Sequence, residues 1–117
     1  MRANQFIRES SMDAVNELDL YINNNEDLYR KQFMPTVYNL QRKFNKKIYD
    51  HEKAKTLWLH LVDTAAREYT QEFGQPGEDV KDFFPKPTRE KVAQVLADRE
   101  LKNIEQGEYD VAKRTIS

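Results

Sequence analysis

The sequence predicts an all-α protein, a compact antiparallel helical bundle of about four main helices. Three observations carry this. Apolar residues recur at the spacing of one helix face, most clearly between Asp50 and Gly74. Glycine totals three and proline four, and they cluster at junctions, where turn-rich β proteins would spread more of both. No alternating apolar–polar run of useful length is present to make a half-buried strand.

Residues 1–12 read as a short leader, helical or extended and polar around Phe6 and Ile7, followed by one helical domain over 13–107 and a tail over 108–117. Ser10 or Ser11 can cap a first helix over 13–23, with Ala14, Val15, Leu18, Tyr21 and Ile22 on its inner face. The Asn23-Asn24-Asn25 run suits a junction, one Asn ending a helix in the left-handed region and another capping the next. A second helix is predicted over 26–46, with the stripe Tyr29, Phe33, Val37, Leu40 and Phe44, extended to Ile48. Pro35 interrupts it. The stripe stays in phase across Pro35, which favours a kink; the rival is two short helices with Pro35 opening the second.

The third helix is the most legible. Asp50 caps it, Gly74 ends it, and Ala54, Leu57, Trp58, Leu61, Val62, Ala65, Ala66, Tyr69 and Phe73 form a wide apolar stripe. Residues 75–87 read as a loop whose Phe83 and Phe84 plug one end of the core. Thr88 is the predicted cap of a last helix over 89–106, with Val92, Ala93, Val95, Leu96, Leu101 and Ile104 inward and Gly107 as its stop. Tyr109, Val111 and Ile116 of the tail are candidate docking points. Short connections favour antiparallel neighbours.

A chain of 117 residues is one domain of ordinary size and needs no metal or disulfide to hold it. Cysteine is absent, which removes disulfides, thiol catalysis and thiolate metal sites. No apolar run approaches the roughly 20 residues of a membrane span, and no secretory signal is recognisable. The expectation is a soluble protein, neither secreted nor transmembrane. The net charge of −1 names no partner. Its distribution is blockwise. Residues 13–29 hold five acids and no base, 30–55 hold eight bases against two acids, and 63–82 hold six acids against two bases. Such blocks face oppositely charged neighbours or water.

Candidate chemistry is sparse. His51 and His60 are nine residues apart on one helix and face opposite sides. His60 and Asp63 share a face and could form an acid–base pair or hold a metal, but a surface hydrogen bond explains that spacing as well. Glu68 with Glu72, and Glu26 with Asp27, read as solvated surface. Serine occurs at 10, 11 and 117 only, and neither a nucleophile elbow nor a phosphate loop is present. The expectation is no enzyme activity, no catalytic residue, no cofactor and no bound metal. The basic set Arg30, Arg42, Lys43, Lys46 and Lys47 is the one candidate for nucleic-acid contact, with Tyr38, Phe44 and Tyr49 nearby for stacking. A cationic helix C-terminus explains its placement equally well. The remaining reading is contact with a protein partner or self-association, with the stripe of the third helix as groove or dimer seam and Trp58 and neighbouring aromatics as its anchors.

The pieces Leu20-Tyr21-Ile22-Asn23-Asn24-Asn25, Asp27-Leu28-Tyr29-Arg30, Pro35, Asn39-Leu40 and Tyr49-Asp50 belong to one pattern. It continues through Leu61-Val62-Asp63-Thr64-Ala65-Ala66-Arg67-Glu68-Tyr69, Glu72-Phe73-Gly74, Arg89-Glu90-Lys91-Val92-Ala93 and Gly107-Glu108-Tyr109-Asp110. Over residues 18–110 the chain resembles a family of small helical proteins of tailed phages, especially the T4-like phages of marine cyanobacteria. Residues 1–9 are similar to leaders on other proteins of such phages. The resemblance implies a phage source, a helical fold and a place in the host cytoplasm or the virion. It implies no substrate and no mechanism.

Overall fold

The computed structural model describes the backbone of residues 2–107 and the side chains of residues 13–107. Helix α1 spans Arg2–Asn24. It starts well before the predicted cap. The backbone stays helical through Ser10 and Ser11, so residues 2–12 run continuously into the first helix. A serine inside a helix costs only about half a kcal/mol, too little to force a break among good helix formers such as Gln5, Arg8, Glu9 and Met12.

Asn25 is the junction residue. Its backbone is extended and its Oδ1 accepts from the Leu28 amide at 3.0 Å, which caps α2, Glu26–Leu28. The expected left-handed asparagine is not found; among the described residues φ is positive at Lys47, Gly77 and Gly107. Helix α2 runs on through a π-helical turn, Tyr29–Phe33, into α3, Met34–Asn45. This wide turn is how the chain accommodates Pro35. Proline has no N–H for the carbonyl four residues back, and its ring crowds that carbonyl. Met34 N instead reaches five residues back to Tyr29 O, and Thr36 Oγ1 donates to Gln32 O at 2.7 Å. The turn also re-aims the stripe. Phe33 is buried beside Trp58, with ring centroids 5.1 Å apart, while Tyr29 lies outside, stacked on Phe33.

Lys47 closes α3 in the left-handed conformation, with φ at 64°. Its amide donates to Phe44 O at 3.0 Å and that of Ile48 donates to Lys43 O at 2.9 Å. These bonds satisfy the end of α3 and reverse the chain into α4, His51–Phe73. Asp50 caps α4 as expected, accepting from Glu52 N at 3.0 Å and Lys53 N at 3.3 Å. Gly74 ends it, but in extended conformation. The reason for glycine there is space: a Cβ would lie 2.5 Å from Thr70 O and 3.0 Å from Phe83 Cε2. A short α5, Val80–Phe83, is held by reciprocal bonds between Asp79 and Asp82. Helix α6 spans Lys86–Glu105, and Gly107 follows it with φ at 76°. Pro85, rather than Thr88, stands at its cap. Pro87 occupies the first turn, where no N–H is needed.

The structure is an all-α bundle, with no strand among the described residues. Helix α4 lies at its centre and makes its most extensive contact with α6. Trp58, Leu61, Val62, Ala65 and Ala66 of α4 share one buried cluster with Val92, Leu96 and Ile104 of α6, Leu18 and Ile22 of α1, and Val37 and Leu40 of α3. Burial of each large side chain is worth about 1.5–3 kcal/mol, and the alanines let the helix axes approach. Phe84 is buried and Phe83 half-buried against the cluster, as the predicted plug. Besides Tyr29, two expected stripe members stay outside, Ile48 and Phe73, which are 61% and 57% exposed, whereas Trp58 is fully buried and is no surface anchor. Tyr109, Val111 and Ile116 lie outside the described residues. Among those described, no helix is long and apolar enough to cross a membrane.

Candidate functional site

The C-terminal end of α4 builds an aromatic surface. Tyr69 is its hub. Its ring lies 5.3 Å from Tyr21, 4.7 Å from Phe73, 6.1 Å from Phe83 and 5.0 Å from Phe84. Helix α1 supplies Tyr21, α4 supplies Tyr69 and Phe73, and the α5 region supplies the Phe pair. Phe84 anchors the group in the core, and Phe73 carries it to the surface. The two tyrosines are fixed by carboxylates. Tyr69 Oη donates to Glu17, and Tyr21 Oη donates to Glu72 at 3.1 Å. Burial, helped by Glu17, pushes the Tyr69 hydroxyl up to about 12, and burial with Glu72 raises Tyr21. Both therefore remain neutral donors at physiological pH. Glu78 stands close to Gly74 and extends the acidic rim, while Asp79 and Asp82 are engaged in capping α5, with Lys81 paired to Asp79 at 4.0 Å.

The opposite end of α4 is basic. Arg42, Lys46 and Lys47 are exposed around the close of α3, and Lys43 is half-buried. Lys43, Lys53 and the capping Asp50 flank a cleft of about 210 Å³ whose apolar walls include Leu40, Ile48, Ala54 and Leu57. The predicted basic set is split. Arg30 lies 16 residues before Lys46 on the same helical path, about 24 Å away at 1.5 Å per residue. It is engaged by Glu26 at 3.1 Å. Lys53 joins the other four. Spacing along one helix reveals Arg42 and Lys46 as neighbours, but the cleft combines α3, the connector and α4, so no local pattern signals it.

The paired histidine and carboxylate do not meet in the way the spacing suggests. Asp63 accepts from Arg89 Nη1 at 2.8 Å, and Arg89 Nε donates to Phe84 O at 2.9 Å. That interaction clamps α6 and the Phe plug to α4, while His60 is exposed. The other histidine is the better connected. His51 Nδ1 lies 2.8 Å from Tyr49 Oη and its Nε2 lies 2.8 Å from Asp98 Oδ1. Asp98 is 47 residues further along the chain, so sequence spacing gives no sign of it. A carboxylate only accepts, so Nε2 carries the proton facing Asp98, and in the neutral ring Tyr49 donates to Nδ1. Burial first, then the charges of Asp98, Glu105 and Asp50, push the Tyr49 hydroxyl up to about 12, which makes it a poor nucleophile or base. Glu68 and Glu72 are separated in role, since Glu72 holds Tyr21. Glu26 and Asp27 pair with Arg30 and Lys31 on their own helix. Among the described residues no three His, Asp or Glu side chains lie close enough together to hold a metal ion.

In comparisons with known proteins, the chain matches no family model, no curated protein and no solved structure. The molecule defines a class by its geometry alone: an all-α bundle with an acid-rimmed aromatic surface at one end of α4 and a basic, apolar-walled cleft at the other.

Proposed function

We propose that the chain is a small accessory protein acting through protein–protein contact, in the virion or on a host target of a tailed phage. The observation that carries the reading is Phe73. A large aromatic ring, 57% exposed, sits on a cluster of rings that holds it in place. Such a ring loses little freedom on binding and gains most of its burial from a partner. The acidic rim selects a partner with basic and apolar side chains, which also suit the faces of the aromatic rings. Nothing in the reading calls for catalysis, a cofactor or a metal.

The test compares a tagged wild-type chain with Phe73→Ser during infection. The reading expects a protein that co-purifies with the wild type and is lost with Phe73→Ser, at matched helicity by circular dichroism. Equal recovery with both chains removes the basis for this surface.

The basic end supports a second reading, nucleic-acid contact through Arg42, Lys43, Lys46, Lys47 and Lys53. None of these five has a described ion-pair partner across the bundle, and such a cluster suits phosphate oxygens. Binding of single- or double-stranded DNA or RNA that weakens with salt, and that Lys46→Glu and Lys47→Glu reduce, supports it. No binding at low salt ends it.

A further inference from the structure

We infer that the two ends of the molecule fit each other, so that Phe73 of one copy docks into the lysine-flanked cleft of a second copy. The inference rests on reading the aromatic end as a contact surface, and adds the partner. Size agrees first. A cavity of about 150 Å³ admits benzene, and the cleft between Leu40, Ile48, Ala54 and Leu57 has about 210 Å³. A phenyl ring and its β-carbon fit. Charge agrees next. Glu72 precedes Phe73, Glu17 holds Tyr69, and Glu78 lies close to Gly74. Around the cleft stand Lys43 and Lys53, with Lys46 and Lys47 at the close of α3; the one acid in its lining, Asp50, is turned to the amides of Glu52 and Lys53 as the cap of α4. Seating Phe73 therefore brings acids against lysines around an apolar centre, the arrangement of a buried anchor within a polar rim.

Geometry sets the mode of assembly. The two surfaces terminate one 23-residue helix, about 33 Å apart at 1.5 Å per residue. A chain cannot fill its own cleft. In the head-to-tail arrangement every copy added leaves one free end of each kind, so assembly grows into strings, or into rings where the rotation closes; two antiparallel copies filling each other's clefts would instead stop at a dimer. One ring and a charged rim make a contact smaller than the roughly 1,000 Å² of stable interfaces. Association is therefore weak, concentration-dependent and screened by salt.

The experiment is sedimentation velocity over a concentration series of the full chain at about 50 mM and about 500 mM salt, where screening lengths differ several-fold. The expected result at low salt is an average mass that climbs with concentration and passes the dimer, reverting toward monomer at high salt. Phe73→Ser and Lys53→Glu should each abolish it, with unchanged circular dichroism. Mixing the two variants is decisive. Phe73→Ser keeps its cleft and Lys53→Glu keeps its ring, so the mixture should form a discrete dimer that does not grow. A monomer at every concentration in low salt overturns the inference. So does association that survives Phe73→Ser, or a mixture that stays monomeric. If the chain is monomeric but still loses a co-purifying partner with Phe73→Ser, self-docking fails while the contact-surface reading stands.

Discussion

His51 joins Tyr49 to Asp98, with 2.8 Å to each, and so ties the α3–α4 connector to the middle of α6. Two neutral or singly charged bonds of this kind contribute about 1–2 kcal/mol together. His51→Ala should lower the unfolding free energy by that amount, read as a fall in the urea midpoint, and Tyr49→Phe by less. A double-mutant cycle between His51 and Asp98 should show a coupling near half of the loss. A midpoint unchanged in His51→Ala would mean that the connector is held by packing of Tyr49 on Phe44 alone, whose rings lie 6.3 Å apart.

Alkaline pH should unfold the protein through its tyrosines. The hydroxyls of Tyr49 and Tyr69 are pushed up to about 12 from the ordinary value of 10, by burial first. The folded state keeps these protons after the unfolded chain has released them. Stability is therefore full below pH 10 and falls as pH rises from about 10 to 12. Absorbance at the phenolate band should show late-titrating tyrosines, and Tyr69→Phe should flatten the loss of melting temperature over that window. A fall that begins near neutral pH would point to other groups.

Arg99 grips Asp19 with both terminal nitrogens, at 3.0 and 3.1 Å, across 80 residues of sequence. Its Nε reaches buried Glu100 at 3.3 Å. These contacts raise the Arg99 pKa, Asp19 first. A lysine offers a point charge in place of the fork. Arg99→Lys should destabilise by about 1 kcal/mol after allowance for partial exposure, read by thermal or urea unfolding. A neutral outcome would show that α1 is held on α6 by its apolar face alone.

Two backbone positions should respond in opposite directions. Lys47 is left-handed without being glycine, a conformation that costs a side-chain-bearing residue about 1–2 kcal/mol. Lys47→Gly should stabilise by about 0.5–1 kcal/mol once glycine's own entropy is counted. Gly74→Ala should destabilise by about 1–3 kcal/mol, because its Cβ meets Thr70 O and Phe83. Melting temperatures of the two variants test both statements.

Legibility in the sequence varied with how local the deciding interaction is. Helix α4 was legible from cap to stop, since its Asp50 cap and its stripe are set by neighbours within one or two turns. A capping asparagine within residues 23–25 was legible for the same reason, and the Phe83–Phe84 plug was legible because two adjacent apolar rings in a loop need burial. The start of α1 was not, because Ser10 and Ser11 resemble a cap, and propensity in the preceding residues outweighs them. Nor was the register around Pro35, where a π turn turns Phe33 inward and leaves Tyr29 outside. Of the candidate surfaces, the basic cluster shows as charge, but its apolar walls come from three segments.

By itself, then, the sequence determined the helical class, the places where helices reverse and the faces they bury. Those follow from periodicity, capping and glycine or proline stereochemistry, all of which act over a few residues. Tertiary structure alone decided that Asp63 serves Arg89 and not His60, that His51 reaches Asp98, and that Phe73 leaves the core for the surface. Each depends on which helices lie side by side. That is settled by the summed burial of many apolar side chains around α4, and no short stretch of sequence encodes the sum.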